Sequence, residues 1–278
     1  MKRIILLIGI VLLNILIFNY LYNNLLISKK FINTLNDSKY ILYGLGSIDN
    51  NTYTNSIDAL NENSNYKIFE VDVSLTKDDK LVLASGWNLT DYKRSIGIKY
   101  YNDTKNNVKD TNTPTYDEFM NFLIQDKYKA TSYNELIKYM KKNKDTYFYL
   151  DIGNGNDVSI KKRLDNIIKN TPKYLLKRVI IHTYNKEMLD IVKSYNSFKL
   201  INMFYNKNEF ENIDEFIKLC ENEKITTVTT TLSSVDKNII KKFKDNNIVL
   251  IVTDIEDKNI DTMLRNIGID IIGSYNLK

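Results

Sequence analysis

Three carboxylates occupy positions from which β-strands could direct them to one site. In the segment KIFEVDVS side chains alternate between two faces, so Glu70 and Asp72 share a face. Asp151 has the corresponding place near the end of the apolar run in YFYLDIGNG. Neighbouring buried carboxylates repel each other unless a cation neutralises them, and all-oxygen ligand sets suit Mg²⁺ or Ca²⁺. The residues therefore predict a divalent-metal site formed by Glu70, Asp72 and Asp151.

Whether this interpretation holds depends on the fold. On an antiparallel strand with one face in solvent, Glu70 and Asp72 would simply be the solvent-exposed side chains. Beyond Lys39, short apolar runs alternate with amphipathic helical patterns, which is typical of a parallel α/β sheet or barrel. We expect strands at Tyr40–Tyr43, Lys67–Ser74, Tyr147–Ile152, Arg178–His182, Lys199–Met203, Thr226–Thr230, Ile248–Thr253 and Asp270–Gly273. We expect helices at Tyr133–Lys144, Val158–Ile168, Glu187–Tyr195, Asn212–Cys220, Asp236–Asp245 and Ile260–Ile267.

Eight such strands in about 240 residues fit an α/β fold with a single (β/α)8 TIM barrel. A doubly wound sheet is the alternative, but no glycine-rich phosphate loop follows the first strand. The polar, irregular stretch 88–113 is predicted to be an insertion. In a barrel the three carboxylates would point into the lumen near the C-terminal ends of the strands, where barrel active sites form.

The composition excludes several kinds of chemistry. A single histidine, His182, rules out His–His metal pairs and two-histidine acid–base catalysis, and the single Cys220 rules out disulfide frameworks and cysteine zinc sites. The net charge of +5 arises from lysines scattered among acids, so no nucleic-acid partner is expected. His182 ends an apolar run, where it is either a structural residue or an acid–base group.

The N-terminus is predicted to be a membrane anchor over residues 1–28, followed by the barrel at 29–278. Residues 4–22 are uncharged, and at 1.5 Å per residue they can span a hydrocarbon core of about 30 Å. The run ends without a small-x-small cleavage site, which favours an uncleaved signal-anchor over a cleaved signal peptide. Lys2 and Arg3 precede the span and Lys29 and Lys30 follow it, and the positive-inside rule slightly favours a single-pass cell-membrane protein with an extracytoplasmic barrel.

The segment from Ile41 to Trp87 resembles the N-terminal signature of the glycerophosphodiester phosphodiesterases, which belong to the phosphatidylinositol-phospholipase-C-like superfamily. The matching pieces are TNSIDAL, the ExD pair Glu70–Asp72, LTKDDKLVL, LDIGN and, near the C-terminus, GIDIIGSYNL. This resemblance extends over nearly everything after the anchor. It implies a TIM barrel, a cation held by Glu70, Asp72 and Asp151, and a pocket wall that includes Trp87.

The sequence departs from that family at its two catalytic histidines. One histidine is expected at the end of the first strand, where Tyr43 stands, and the other in an HD motif, where the chain has Ser85 and Gly86. The lysine expected after Asp151 is replaced by Gly153. A general acid and a general base are each worth about 10²–10⁴ in rate. Tyrosine and serine titrate far from neutrality and do not replace imidazole.

The resemblance therefore implies a membrane-anchored, glycerophosphodiesterase-like protein that has lost ordinary hydrolysis. It is expected to bind a phosphodiester or polyol-phosphate ligand, such as a lipid headgroup or a teichoic-acid-like polymer, together with a divalent metal. One alternative is an active metal-dependent phosphodiesterase in which Tyr43 or His182 transfers protons. Another is a structural barrel that presents a protein-binding surface.

Overall fold

The structure, a computed structural model, describes residues 2–88, 90–91, 113–210 and 212–276. Most of the expected insertion at 88–113 lies outside these residues. The strands of the described chain are β1 (Tyr40–Leu42), β2 (Ile68–Leu75), β3 (Leu81–Leu83), β4 (Leu123–Ile124), β5 (Tyr128–Lys129), β6 (Tyr147–Asp151), β7 (Val179–Thr183), β8 (Leu200–Tyr205), β9 (Thr227–Thr231), β10 (Val249–Thr253) and β11 (Ile271–Ser274).

Eight parallel strands close into a barrel. They follow each other in the order β1, β2, β6, β7, β8, β9, β10 and β11, and β11 pairs back with β1. All eight strands that the sequence predicts are present, which confirms the TIM barrel. Two short antiparallel pairings were not predicted: β3 returns along β2, and β4 pairs with β5.

The described helices are α1 (Lys2–Ser38), α2 (Ile57–Glu62), α3 (Tyr116–Met120), α4 (Tyr133–Lys142), α5 (Asp157–Asn170), α6 (Lys186–Ser194), α7 (Ile213–Glu223), α8 (Lys237–Asp245) and α9 (Lys258–Asn266). From α4 onward, each helix joins two barrel strands and begins at a polar side chain that accepts a backbone N–H of its first turn, which stabilises the helix start. These capping residues are Ser132, Asn156, Asn185, Asn212, Asp236 and Asp257.

Helix α1 closes the N-terminal end of the barrel. Phe31 and Leu35, one turn apart on α1, are 1% and 0% exposed. They pack in one cluster with residues at the beginnings of the strands, including Ile41 and Tyr147, and the Phe31 and Tyr147 ring centroids are 5.2 Å apart. The predicted boundary at residues 28 and 29 thus falls inside one continuous helix. By length and composition, the part Gly9–Ser38 could cross a membrane.

Replacing Phe31 with alanine is expected to destabilise the barrel by about 3–5 kcal/mol, because it removes a fully buried ring and leaves a cavity. The matched control is Asn33→Ala, an exposed position on the same helical turn. Urea unfolding of the full chain in detergent measures both free energies of unfolding. Equal values for the two variants would show that α1 does not stabilise the barrel.

Candidate functional site

The three predicted carboxylates meet at the C-terminal end of the barrel. Asp72 on β2 and Asp151 on β6 are direct neighbours in the parallel register, and Glu70 lies two residues before Asp72 on the same face. One carboxylate oxygen of each of the three lies within 4.8 Å of the others. They line a cavity of about 260 Å³ together with Tyr43, Tyr53, His182, Tyr184, Phe204, Thr229, Thr231, Thr253, Asp254 and Tyr275.

Neutral donors hold each carboxylate of this cluster in place. The Gly44 N–H donates to Glu70 Oε2 at 2.9 Å. Both the Asn55 amide and the Ser85 hydroxyl donate to Asp72 Oδ2, each at 2.9 Å. Asp151 Oδ1 accepts the Gly153 N–H at 2.7 Å, and its Oδ2 accepts the Tyr184 hydroxyl. Because these donors carry no charge, they orient the carboxylates without neutralising them.

The connection between β1 and α2 supplies part of this cage through an uncommon backbone. Tyr53 and Asn55 have φ values of 61° and 45°, in the left-handed region that costs non-glycine residues free energy. In this conformation the Asn55 amide donates to the Asp72 carboxylate, and the backbone N–H of Asp72 donates to Asn55 Oδ1 at 3.1 Å. The Tyr53 ring lies 3.7 Å from that of Tyr275, centroid to centroid. Strained residues of this kind cluster at functional sites.

The cavity is strongly acidic. Among the described residues that line it, four are Asp or Glu and none is Lys or Arg. Burial, followed by the charges of Asp72 and Asp151, raises the pKa of Glu70, which is 8% exposed, well above its ordinary value. Burial and the neighbouring Asp151 raise the pKa of Asp72 to about 7. A proton at this site relieves the repulsion among the carboxylates, and a bound cation would do the same.

This arrangement predicts how stability depends on pH without divalent ions. An unfolded Asp titrates near 3.8, whereas folded Asp72 titrates at about 7, so between these values the folded chain holds more protons. The free energy of unfolding should therefore fall as the pH rises through this window. Asp72→Asn, which keeps an acceptor oxygen for Ser85 and Asn55, should gain stability over the unsubstituted chain across the same window, by a few kcal/mol at about 1.4 kcal/mol per unit of pKa.

Urea unfolding in EDTA at several pH values between 4 and 8 measures this difference. The difference should grow from pH 4 to about pH 7 and then level off, and saturating Mg²⁺ should reverse its sign above pH 7. A difference that does not vary with pH would contradict the coupling.

Of the two positions at which the resemblance leads one to expect histidines, Tyr43 lines the cavity, and Ser85 hydrogen-bonds to Asp72 in its wall. Tyr43 lies at its wall, where burial raises the pKa of its hydroxyl well above 10 and its ring meets that of Tyr275 edge-on at 5.7 Å. The ring fits there because Gly273 has no side chain: a Cβ at that position would be 2.7 Å from Tyr43 Cε1. Ser85 is bonded to Asp72. Neither group titrates near neutrality.

The single histidine also faces this cavity. His182 is 7% exposed, and its Nδ1 lies 3.0 Å from the Asn202 amide nitrogen, which in turn donates to Thr229 Oγ1 at 2.8 Å. With the amide donating to Nδ1, the imidazole proton resides on Nε2. Burial lowers the pKa of His182, so the ring is neutral at physiological pH. His182 therefore both makes a buried hydrogen bond to Asn202 and lines the cavity.

Trp87, which was expected in the pocket wall, packs outside the cavity. Its Nε1 donates to the Leu75 carbonyl at 2.7 Å, and its ring meets Phe119 edge-on at 5.5 Å, beside the β2–β3 hairpin. It is not among the residues that line the cavity. The wall is formed instead by aromatic residues that the sequence analysis did not select, above all Tyr184 and Phe204. Both follow the rule that strand C-terminal ends supply barrel sites, which could have identified them.

No protein-family model and no curated protein matches the chain. Solved structures do match in fold. A phosphodiesterase from Oleispira antarctica, in complex with the product sn-glycerol-3-phosphate, is 15% identical with a TM-score of 0.63, over 85% of this chain and 92% of that one. A glycerophosphodiester phosphodiesterase from Thermotoga maritima is 17% identical with a TM-score of 0.59, over 85% and 93%.

Another glycerophosphodiester phosphodiesterase, from Agrobacterium tumefaciens, is 10% identical with a TM-score of 0.59, over 86% of this chain and 97% of that one. Each similarity therefore extends over the barrel and nearly all of the matched protein. The chain has the TIM-barrel fold of the glycerophosphodiester phosphodiesterases.

Proposed function

We propose that this chain is a membrane-anchored, glycerophosphodiesterase-like protein that binds a phosphodiester or polyol phosphate through a divalent cation and does not hydrolyse ordinary glycerophosphodiesters. The observation that carries the proposal is the partly buried cluster of Glu70, Asp72 and Asp151 at the C-terminal end of a barrel with this fold. The resemblance of the sequence around these residues to the family signature supports it. The complex of the Oleispira protein with sn-glycerol-3-phosphate indicates the ligand class.

The residues of the cluster fit a hard divalent cation. Three carboxylates with mutually close oxygens offer the oxygen ligands that Mg²⁺ and Ca²⁺ take. When bound, the cation supplies positive charge that attracts and polarises a phosphate group. The cavity itself offers an anion no Lys or Arg among its described lining residues, so a phosphodiester entering without a cation would be repelled. Cation and ligand binding should therefore be coupled.

The loss of hydrolysis follows from the proton-transfer groups. Tyr43 and Ser85 stand where the family has its acid and base, and both are far from titrating at neutral pH. The cavity keeps charges that can bind and orient a ligand but lacks the pair that would activate a nucleophile and protonate a leaving alkoxide.

The test is binding of sn-glycerol-3-phosphate by calorimetry beside hydrolysis of glycerophosphocholine, with full-length protein in detergent and Mg²⁺ or Ca²⁺. We expect ligand binding that disappears in EDTA, and no turnover above that of a Glu70→Gln/Asp72→Asn variant. Binding that persists in EDTA, or turnover clearly above that variant, would contradict the proposal.

A second candidate function, an active phosphodiesterase with rearranged acid–base groups, is favoured by one observation: His182 lines the same cavity. Turnover that falls by 10²-fold or more in His182→Gln and follows a pH profile set by a single base would establish this function. A structural barrel that only presents a protein-binding surface would bind neither cation nor phosphate.

The proposal includes anchoring of the barrel to the cell membrane by α1, on the extracytoplasmic side that Lys2 and Arg3 ahead of the span favour. Ser233→Cys at the exposed 3-10 turn after β9 tests the side. Cys220 is buried with its thiol pKa raised to about 12, so it should not react. A membrane-impermeant maleimide should label the Ser233→Cys protein in intact cells. Labelling only after lysis would place the barrel inside.

A further inference from the structure

The two ends of the barrel carry opposite charge. The segments that lead into the eight barrel strands contain eight Lys or Arg and only two Asp. We call this surface the basic floor: residues 39, 63–67, 143–146, 171–178, 195–199, 224–226, 246–248 and 267–270. Most of its cations are exposed, namely Lys39, Lys67, Lys144, Lys173, Lys177 and Lys224.

The opposite end is acidic. Among the described residues, the connections that leave the C-terminal ends of the barrel strands contain five Lys and twelve Asp or Glu, and three of these acids lie in the single turn Asp254–Asp257. The carboxylates of the candidate site add to the negative charge at this end. In the linear sequence these charges alternate, and only the barrel separates them.

Helix α1 joins the barrel at the basic floor. Its residues Phe31 and Leu35 fill the N-terminal end of the barrel lumen. Lys30 forms an ion pair with the floor residue Asp145, with 3.8 Å between Nζ and Oδ1. Clefts of about 690 and 310 Å³ separate the preceding turns of α1 from the floor on two sides. Farther from the barrel the described apolar side chains of α1 are largely exposed: Leu16 and Phe18 are 65% and 66% exposed.

An apolar helix that leaves the protein at the centre of a cationic surface is suited to one environment, a bilayer with anionic headgroups. The apolar part of α1 would lie in the hydrocarbon core. The lysines of the basic floor would then be attracted by the negative potential of the anionic headgroups, which decays within a Debye length of roughly 8–10 Å. The acidic end would be repelled by the same surface. A nucleic acid would also match the cations, but it would leave the apolar helix exposed to water.

We propose that the basic floor rests on the anionic bilayer that holds α1, so that the carboxylate cavity opens on the far side, away from the lipid. This inference rests on the membrane anchoring in the proposed function. It narrows the ligand class to phosphodiesters and polyol phosphates presented from the aqueous side, either free or as the outer part of a polymer. The headgroups of the leaflet beneath the floor are separated from the cavity by the whole barrel.

The test measures how far each end of the barrel lies from the lipid. Ser64→Cys in the floor and Ser233→Cys beside the cavity are both exposed, isosteric substitutions, so the same donor dye can be attached at either end of the full chain. A compact domain of this length is about 40 Å across. In vesicles of phosphatidylcholine with phosphatidylglycerol and an acceptor headgroup dye, we expect several-fold higher energy transfer from position 64 than from position 233.

Charge reversal tests the role of the floor. Lys173→Glu/Lys177→Glu should lower transfer from position 64, whereas Lys237→Glu/Lys258→Glu, the same charge change at the acidic end, should leave it unchanged. High salt, or vesicles of phosphatidylcholine alone, should act like the floor variant.

Equal transfer from positions 64 and 233, or higher transfer from 233, would overturn the proposed orientation. Equal effects of the two charge reversals would overturn the electrostatic contact. Protein that does not float with the vesicles would refute the anchoring itself, an outcome distinguishable from the other two.

Discussion

Replacing Glu70 with Gln and Asp72 with Asn together is expected to abolish divalent-cation binding. The unsubstituted protein should bind Mg²⁺ or Ca²⁺, because a cation removes the repulsion among the buried Glu70 and the half-buried Asp72 and Asp151, which their neutral donors leave in place. The binding should weaken as the pH falls below about 7, since protons compete for Asp72. Calorimetry on the full chain in detergent measures the loss, which we expect to exceed 10²-fold.

The control variant must keep the fold and remove the same number of negative charges as Glu70→Gln/Asp72→Asn. Asp236→Asn/Asp257→Asn removes two charges from the same end of the barrel at helix N-caps that do not line the cavity, where asparagine can also accept the first-turn N–H, and should weaken binding only slightly. Added cation should also raise the melting temperature of the unsubstituted protein and of this control, but not that of the Glu70→Gln/Asp72→Asn variant. If both double variants lose binding equally, general negative charge rather than the cluster attracts the ion.

Much of the fold could be predicted because its signals are local. Most barrel strands are short apolar runs separated by amphipathic helices, and the β/α alternation leaves few topologies. The path of α1 could not be predicted in this way. The apolar pattern does not mark where the part of α1 that packs against the barrel begins, because Phe31 and Leu35 are as apolar as the exposed residues Leu16 and Phe18 before them. Only the closed barrel shows which side chains enter its lumen.

The carboxylates were predictable for a similar reason, and their surroundings were not. The alternation of side chains in β2 and β6 assigns Glu70, Asp72 and Asp151 to one face, and the parallel register brings them together. Asn55 reaches Asp72 only through a left-handed backbone, which no side-chain periodicity reveals. The opposite charges of the two barrel ends were hidden as well, because the lysines and acids that form them alternate along the chain.

Restoring the two family histidines, Tyr43→His and Ser85→His, is expected to create hydrolysis of glycerophosphocholine in the presence of Mg²⁺ or Ca²⁺. Tyr43 lines the cavity and Ser85 hydrogen-bonds to Asp72 in its wall. Imidazole titrates near neutrality, so one ring can accept a proton while the other donates one. A single acid or base is worth about 10²–10⁴, and we expect kcat/KM to rise at least 10²-fold over the unsubstituted protein. The smaller imidazole also fits the space that the Tyr43 ring occupies against Gly273.

The matched control, Tyr43→Phe/Ser85→Asn, changes the same side chains without adding a titratable group, and should remain inactive. Adding Asp72→Asn to the two histidines should remove the gain, because proton transfer alone does not bring an anion into an acidic cavity. If the two-histidine variant binds cation and sn-glycerol-3-phosphate yet gains no turnover, the missing acid and base are not what prevents hydrolysis. The smaller departures, such as Gly153 in place of the lysine after Asp151, would then have to explain it.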